Sequence, residues 1–305
     1  MVDEKFYSLS EGMEKNKILA LISLLDDPSD EVFSTVEGEL LKEEVGIVPD
    51  LEKAWESTLD STYQRRLENL IHTLQFKDVK SGLRQWLSRS DDDLLYGAYL
   101  VSKYQYPELR YEDVNNKINQ IRKDIWLELN DHLTALEKVR IINHILFDVH
   151  GYTRNNTNFM AAQNTLICDV LDTRKGNPIS LSVIYSVVAQ RLGLPILGVN
   201  LPKNFVLAYL DEAGDLAAVG KGEEISVLFY INAINKGAVL GRKEIEFFVH
   251  QQKLEPDVSY FLPCSNKDIV QRMLNNLLYA FESSNQTEKV EEIRELLSLF
   301  GNFPS

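Results

Sequence analysis

The sequence predicts an α+β protein: an all-helical front half, then a buried helix followed by an antiparallel sheet, then a closing helical hairpin. Three observations predict it. Apolar residues recur at helical spacing up to about residue 128; three short β-rich runs follow one helix that is apolar on nearly every side; and helical spacing returns after residue 262. The corresponding domains are 1–128, 129–262 and 263–305.

In "DDPSDEVFSTVEGELLKEE", Ser29 is placed to cap a helix and Asp30 and Glu31 suit its first turn. Val32, Phe33, Val36, Leu40 and Leu41 form the apolar stripe. "VPDLEKAWES" carries Pro49 near a helix start. Tyr63, Leu67, Leu70, Ile71 and Leu74 make the next stripe, followed by "VKSGLRQWLSR" and by "DDDLLYGAYLVSKY" with Leu94, Leu95, Ala98 and Val101. Short helices with short links read as a HEAT-like stack, although no strict period repeats. A helix from about Asp131 to Val149, ended by Gly151, opens the second part, and "YTRNNTNFMAAQNT" after it is polar and loop-like.

The stretch "TRKGNPISLSVIYSVVAQRLGLP" is the centre of the pattern. Asn177 is the N-cap, Pro178 the first helical residue, and Gly193 and Pro195 close the far end. Ile179, Leu181, Val183, Ile184, Val187, Val188 and Leu192 cover almost the whole circumference, which places the helix inside a core. "PILGVNL", "NFVLAYL" and "ISVLFYI" then read as strands, with a turn at Gly214. The end is an αα-hairpin similar to one tetratricopeptide unit: Ile269 to Phe281, then Val290, Ile293, Leu296, Leu297 and Phe300.

Composition narrows the function. A net charge of −14 over 305 residues argues against nucleic acid, whose binding begins with clustered Lys and Arg; only short pairs such as Arg65-Arg66 occur. The polar, acidic start "MVDEKFYSLSEGMEKNK" does not read as a secretory signal. The apolar run Ile18–Leu25 is far short of the roughly 20 residues that span a bilayer. Two cysteines, Cys168 and Cys264, are too few for a disulfide framework or a cysteine-rich metal site. The expectation is a cytoplasmic protein with no membrane segment, no cofactor and no metal.

The segment "VLDTRKGNPISLSVIYSVVAQRLGLPILGVNLP" resembles the transglutaminase-like superfamily in its bacterial SirB-type branch. Arg174, Gly176, Pro178, Ile179, Ser180 and Leu181 meet that branch's Arg-x-Gly-x-Pro-Ile-Ser/Thr-Leu signature. Asn164, Thr165, Val170 and Leu171 meet its Asn-Ser/Thr lead-in, with Ile167 in place of a Leu. The acidic helical front and the closing "QRMLNNLLYAF" are similar too. Catalytic members of the wider superfamily use a Cys-His-Asp triad on a papain-like fold, with the Cys at the central helix N-terminus, where the dipole lowers its pKa. Carried onto this chain, the Cys position falls on Pro178, the His position on Asn204 and the Asp position on Asn232. Members of the branch commonly have Pro at the first position, while many keep the His. The resemblance therefore implies a papain-like fold with no nucleophile and no general base. Asn204 and Asn232 are expected to meet at the helix entrance, bonded directly or through one water.

Other residues offer weaker chemistry. Cys168, in "TLICDVL", reads either as a displaced nucleophile or as a small buried hydrophobe, and Ser180 is a second nucleophile candidate. His144 and His150 are six apart, which matches no metal pattern, and His150 suits a helix C-terminus. "GKGEE" at Gly220 is too short for a phosphate loop. Asn164, Arg174, Asn177, Ser180, Asn204 and Asn232 form either a remnant cleft for a peptide, carboxylate or anion, or a set of loop ties. The reading is a non-catalytic module that binds a protein or peptide. Its rival is a cysteine-type hydrolase or acyl-transferase working through Cys168 or Ser180.

Overall fold

The structure, a computed structural model, describes residues 15–90, 93–211 and 226–301; the turn expected at Gly214 and the "GKGEE" segment lie outside them. By packing, the chain forms two compact units, 1–82 and 83–305.

The first unit is helical: α1 (15–24), α2 (Asp30–Leu40), α3 (Val48–Ser57) and the first turns of α4 (Ser61–Ser88). Leu25, Leu40, Leu51, Leu67, Leu70 and Leu74 are its buried centre, and Leu40, Leu67, Leu70 and Leu74 come from the stripes the sequence shows. Ser29 is the N-cap of α2, but its side chain makes no cap bond. Instead Arg66 stacks on Phe33 and donates from Nη1 to the Leu25 and Asp27 carbonyls at 3.0 and 2.8 Å, satisfying acceptors where α1 ends. "YQRRLENLIHTLQF" and "VKSGLRQWLSR" belong to one helix of 28 residues rather than two. Nothing between them breaks a helix, since Lys77 and Asp78 keep the backbone bonded.

The second unit is built around α9 (Pro178–Arg191), whose residues Ile179 to Ala189 are all buried. Helices α5 (Leu94–Gln105) and α6 (Tyr111–Trp126), grouped by periodicity with the front half, pack here on α9 and on α8 (Ile167–Thr173). Asp93 caps α5 through the Leu95 and Tyr96 amides. Arg191 Nη1 ties the end of α9 to α6 through Asn115 and Asn119 at 2.8 and 2.9 Å. The helix expected from Asp131 starts later. Thr134 and Glu137 form a capping box for α7 (Ala135–Asn143), which widens into a π-helical turn over His144–Val149. Leu136 and Val149, both within the expected helix, are exposed.

Strands β1 (Thr153–Arg154) and β2 (Lys175–Gly176) make a two-residue parallel pair in the loop region ahead of α9. The main sheet is an antiparallel meander, β3 (Ile196–Val199), β4 (Val206–Leu210), β5 (Val227–Asn232) and β6 (Ala238–Leu240). Every β4 residue is buried because the sheet is covered on both faces. On one side lies α9; on the other, Val206, Ala208 and Leu210 join Ile245 and Val249 of α10 (Arg242–Gln251). Strand β6 and α10 are additions to the three-strand reading. Helices α11 (Asn266–Ser283) and α12 (Thr287–Leu297) form the closing hairpin, and α11 approaches β3 closely at Gly198. A Cβ there would come within 2.7 Å of the Phe205 ring and 2.8 Å of Ile269 Cδ1.

Asn143 links the helix layer to the β5–β6 turn. It accepts from Tyr185 Oη at 3.0 Å and donates from Nδ2 to the Gly237 carbonyl at 2.8 Å. Gly237 has φ +70°, and a Cβ on it would collide with the Asn143 amide. Gly237→Ala should therefore cost about 1–3 kcal/mol, from left-handed strain and the broken link together. Leu181→Ala, which opens a hole in a helix enclosed on all sides, should cost about 2–5 kcal/mol. Urea unfolding of both variants checks these values; a Leu181→Ala midpoint equal to the parent's would mean that α9 is not the core helix.

Candidate functional site

The entrance of α9 is built by reciprocal bonding. Asn177 Oδ1 accepts from the Ser180 amide at 3.0 Å, and the Asn177 amide donates to Ser180 Oγ at 3.1 Å. Ser180 Oγ donates in turn to the Asn164 carbonyl at 2.6 Å, and Asn177 Nδ2 donates to Thr165 Oγ1 at 2.8 Å. The Asn164 side chain is equally committed: Oδ1 accepts from Asn155 at 2.8 Å, and Nδ2 donates to the Asn158 and Phe159 carbonyls at 2.6 and 3.0 Å. Asn164, Thr165, Asn177 and Ser180 are all buried, so these bonds meet the requirement that buried polar groups be paired. Pro178 follows the cap without opposing it, because the first helical residue has no amide to satisfy.

In front of this entrance lies a cavity of about 190 Å³. Its walls come from four places: the 159–165 loop, the first residues of α9, the β3–β4 hairpin with Lys203, Asn204 and Phe205, and α11 with Arg272, Asn276 and Tyr279. Spacing of i, i+4 and i+7 puts those three α11 residues on one face. Phe159, Met160 and Tyr279 are exposed large groups. Burial holds the Arg272 guanidinium below the ordinary arginine value, and its hydrogen bond is to Asn200 Oδ1, at 3.3 Å. Among the described residues no carboxylate pairs with it.

Of the candidate cleft and triad residues named from the sequence, Asn177, Pro178 and Asn204 line this cavity. Asn164 and Ser180 lie behind it as ties, and Arg174 is exposed at the C-cap of α8 with φ 60°. Asn232 ends β5 beside β4 and is not on the cavity wall. No direct bond joins it to Asn204, whose Oδ1 folds onto the following Phe205 amide at 2.8 Å, while Asn232 Oδ1 is buried with no partner. Cys168 is 7% exposed, and burial first, then the neighbouring Asp169, pushes its thiol up to about 11. Burial pushes Cys264 up to about 12. His150 is the C-cap of the π-helical turn, with Nε2 2.9 Å from Asp124 Oδ2. Among the described residues no group of three or more His, Cys, Asp or Glu could hold a metal, and no helix is long and apolar enough to cross a membrane.

Arg272, Asn276 and Tyr279 were not singled out by sequence. Their signal is polar and aromatic residues at helical spacing within "QRMLNNLLYAF", and ordinary solvated positions look the same.

A family model described as the transglutaminase-like superfamily matches residues 112–275, more than half of the chain. The chain belongs to the transglutaminase-like superfamily. The match runs from α6 into α11, past Arg272 but short of Asn276 and Tyr279, and so includes the helix entrance and most of the cavity wall. F-box only protein 21 of Mus musculus is 25% identical over 263 residues, covering 78% of this chain and 41% of the relative. The chain thus spans about two fifths of that relative's length. A UPF0162 protein of Xylella fastidiosa is 26% identical over 228 residues, 72% of this chain and 76% of the relative. UPF0162 protein PM0557 of Pasteurella multocida is 30% identical over 116 residues, 37% and 44% of the two chains. No solved structure matches this chain significantly.

Two outcomes follow from the site. Ser180→Ala strips the Asn177 amide of its Oγ acceptor and the Asn164 carbonyl of a donor, so it should cost about 1–3 kcal/mol in urea unfolding; no loss would show that the cap is incidental. The two thiols also set an alkaline limit. Unfolded cysteines ionise near pH 8.5, whereas Cys168 and Cys264 hold their protons to about 11 and about 12. The unfolded chain then binds fewer protons, so stability is full below the unfolded value and falls as pH rises towards 11. Urea midpoints at pH 7.5 and pH 10 should show this decline, and Cys168→Ala should make it shallower.

Proposed function

We propose that this chain is a non-catalytic, SirB-type member of its superfamily, a cytoplasmic module that binds a protein or peptide in the cavity before α9. Pro178, Asn204 and Asn232 take the positions where catalytic relatives carry Cys, His and Asp. The observation that supports this best is the chemistry of the entrance itself. The first helical residue is a proline, and the hydroxyl two residues on, Ser180 Oγ, is fully buried and committed to Asn164 and Asn177. Asn232 Oδ1 fits the same reading: it is an acceptor left without a donor, where a working site would supply an imidazole N–H. The rival, a hydrolase working through Cys168, requires an exposed thiolate at neutral pH, and Cys168 is neither exposed nor easily ionised.

The test is mass spectrometry of a peptide and thioester library incubated with the protein. Unchanged substrates are expected; hydrolysis, transamidation or an acyl adduct lost on Cys168→Ser would overturn the reading. A second check rebuilds the triad. Pro178→Cys with Asn204→His and Asn232→Asp should be alkylated at pH 6 at least tenfold faster than Pro178→Cys alone, because an imidazolium partner and the helix N-terminus together favour the thiolate. Equal rates would mean that the three positions do not cooperate.

A further inference from the structure

Arg272 is half-buried in the wall of an open cavity and has no carboxylate partner among the described residues, in a chain whose formal charge is −14. A desolvated guanidinium normally acquires an acidic neighbour, since burying a charge unpaired is costly. The chain has 46 acidic residues, yet none of those described lines the cavity, whereas Lys203 stands on the hairpin wall of the same space. The positive end of α9 opens onto the same space. Apolar groups share the lining with the uncharged polar residues Thr165, Asn177, Asn204 and Asn276: Ile179 and Phe205 are buried, and Phe159 and Tyr279 are exposed. Near this wall the Asn276 amide makes no hydrogen bond among the described residues, so it is available to a backbone.

We propose that this cavity captures the C-terminus of a partner polypeptide that ends in an apolar residue, with Arg272 and Lys203 holding the terminal carboxylate. Size and composition select this occupant. At about 190 Å³ the space is smaller than the roughly 300 Å³ at which sites for drug-sized ligands begin, so it admits about one residue. That residue must satisfy cationic and apolar walls within a few ångströms. A terminal apolar residue does so, because its carboxylate and hydrocarbon leave the same Cα; an internal Asp or Glu offers the charge alone and must route the chain out twice. Capture of a C-terminal carboxylate is an established mode of peptide recognition, and a guanidinium can hold it in bidentate fashion.

The inference rests on the non-catalytic reading of the same site, and one experiment separates the two. A fluorescein-labelled hexapeptide library with Leu, Ile, Val or Phe fixed at the last position is titrated in two forms, free acid and C-terminal amide. Anisotropy reads binding, and mass spectrometry reads turnover in the same wells. Free-acid peptides should bind at least tenfold tighter than their amides. Arg272→Gln should remove that difference, Arg272→Lys should restore part of it, and the gain should shrink between 50 and 300 mM salt. Lys203→Gln, at an exposed hairpin position, should weaken free-acid binding several-fold with the fold undisturbed. Equal binding of acid and amide, no binding by any free-acid peptide, or equal binding of amidated peptides with an internal Asp or Glu would each overturn the proposal. Peptide turnover would instead overturn the non-catalytic reading, whichever form binds.

Discussion

The reciprocal cap between Asn177 and Ser180 is the interaction on which the second unit depends. A helix that is apolar all round must be buried, and burying it hides the unpaired amides of its first turn. Here the cap resolves that conflict: Asn177 supplies an acceptor, Ser180 returns one, and the Ser180 hydroxyl donates its own hydrogen bond to the Asn164 carbonyl. The 164–165 segment is thereby fixed to the helix entrance, and Asn164 fixes the 155–159 loop in turn. Burial, loop path and cavity wall all follow from one pair of side chains.

Under the proposed function, the same bonding accounts for an entrance that binds rather than reacts. A nucleophile needs a free proton path and access to substrate, and Ser180 has neither. A binding cleft needs groups with spare capacity, and these belong to other elements: Lys203 and Asn204 on the β3–β4 hairpin, Arg272 and Asn276 on α11. Rigidity and recognition are thus divided between two sets of residues. The core can stay closed while the rim changes, so members of one superfamily can share the helix and differ in what they hold.

Much of the fold was legible in the sequence for physical reasons. Asn177, Pro178 and Gly193 mark both ends of α9, and its unbroken apolar circumference announces burial. "NFVLAYL" and "ISVLFYI" read as strands because β-branched and aromatic residues crowd them. Other features were hidden by non-local effects. Strand β6 is three residues long and carries no pattern. Helix α10 starts from Gly241, whose amide is bonded by Glu244 at 2.9 Å, a cap with no Ser, Thr, Asp or Asn at its head. Grouping α5 and α6 with the front half followed periodicity, which says a helix is amphipathic but not which neighbour it meets. At the site, Pro178 and Asn204 could be named from the resemblance, and they share a cavity. Asn232 is not among its lining residues. Arg272 became visible only once α11 was seen to close the far wall.

The central claim is that the helix entrance is locked, and native-state amide exchange at Ser180 measures it most directly. If the reciprocal cap holds, the Ser180 amide exchanges only with global unfolding, its opening free energy tracking the global value as urea is added. Asn177→Ala should then release that amide to a local opening that urea barely affects, while amides in the middle of α9 remain globally protected. Fast exchange of Ser180 in the unmodified protein, independent of urea, would show an entrance that opens by itself and would contradict the account.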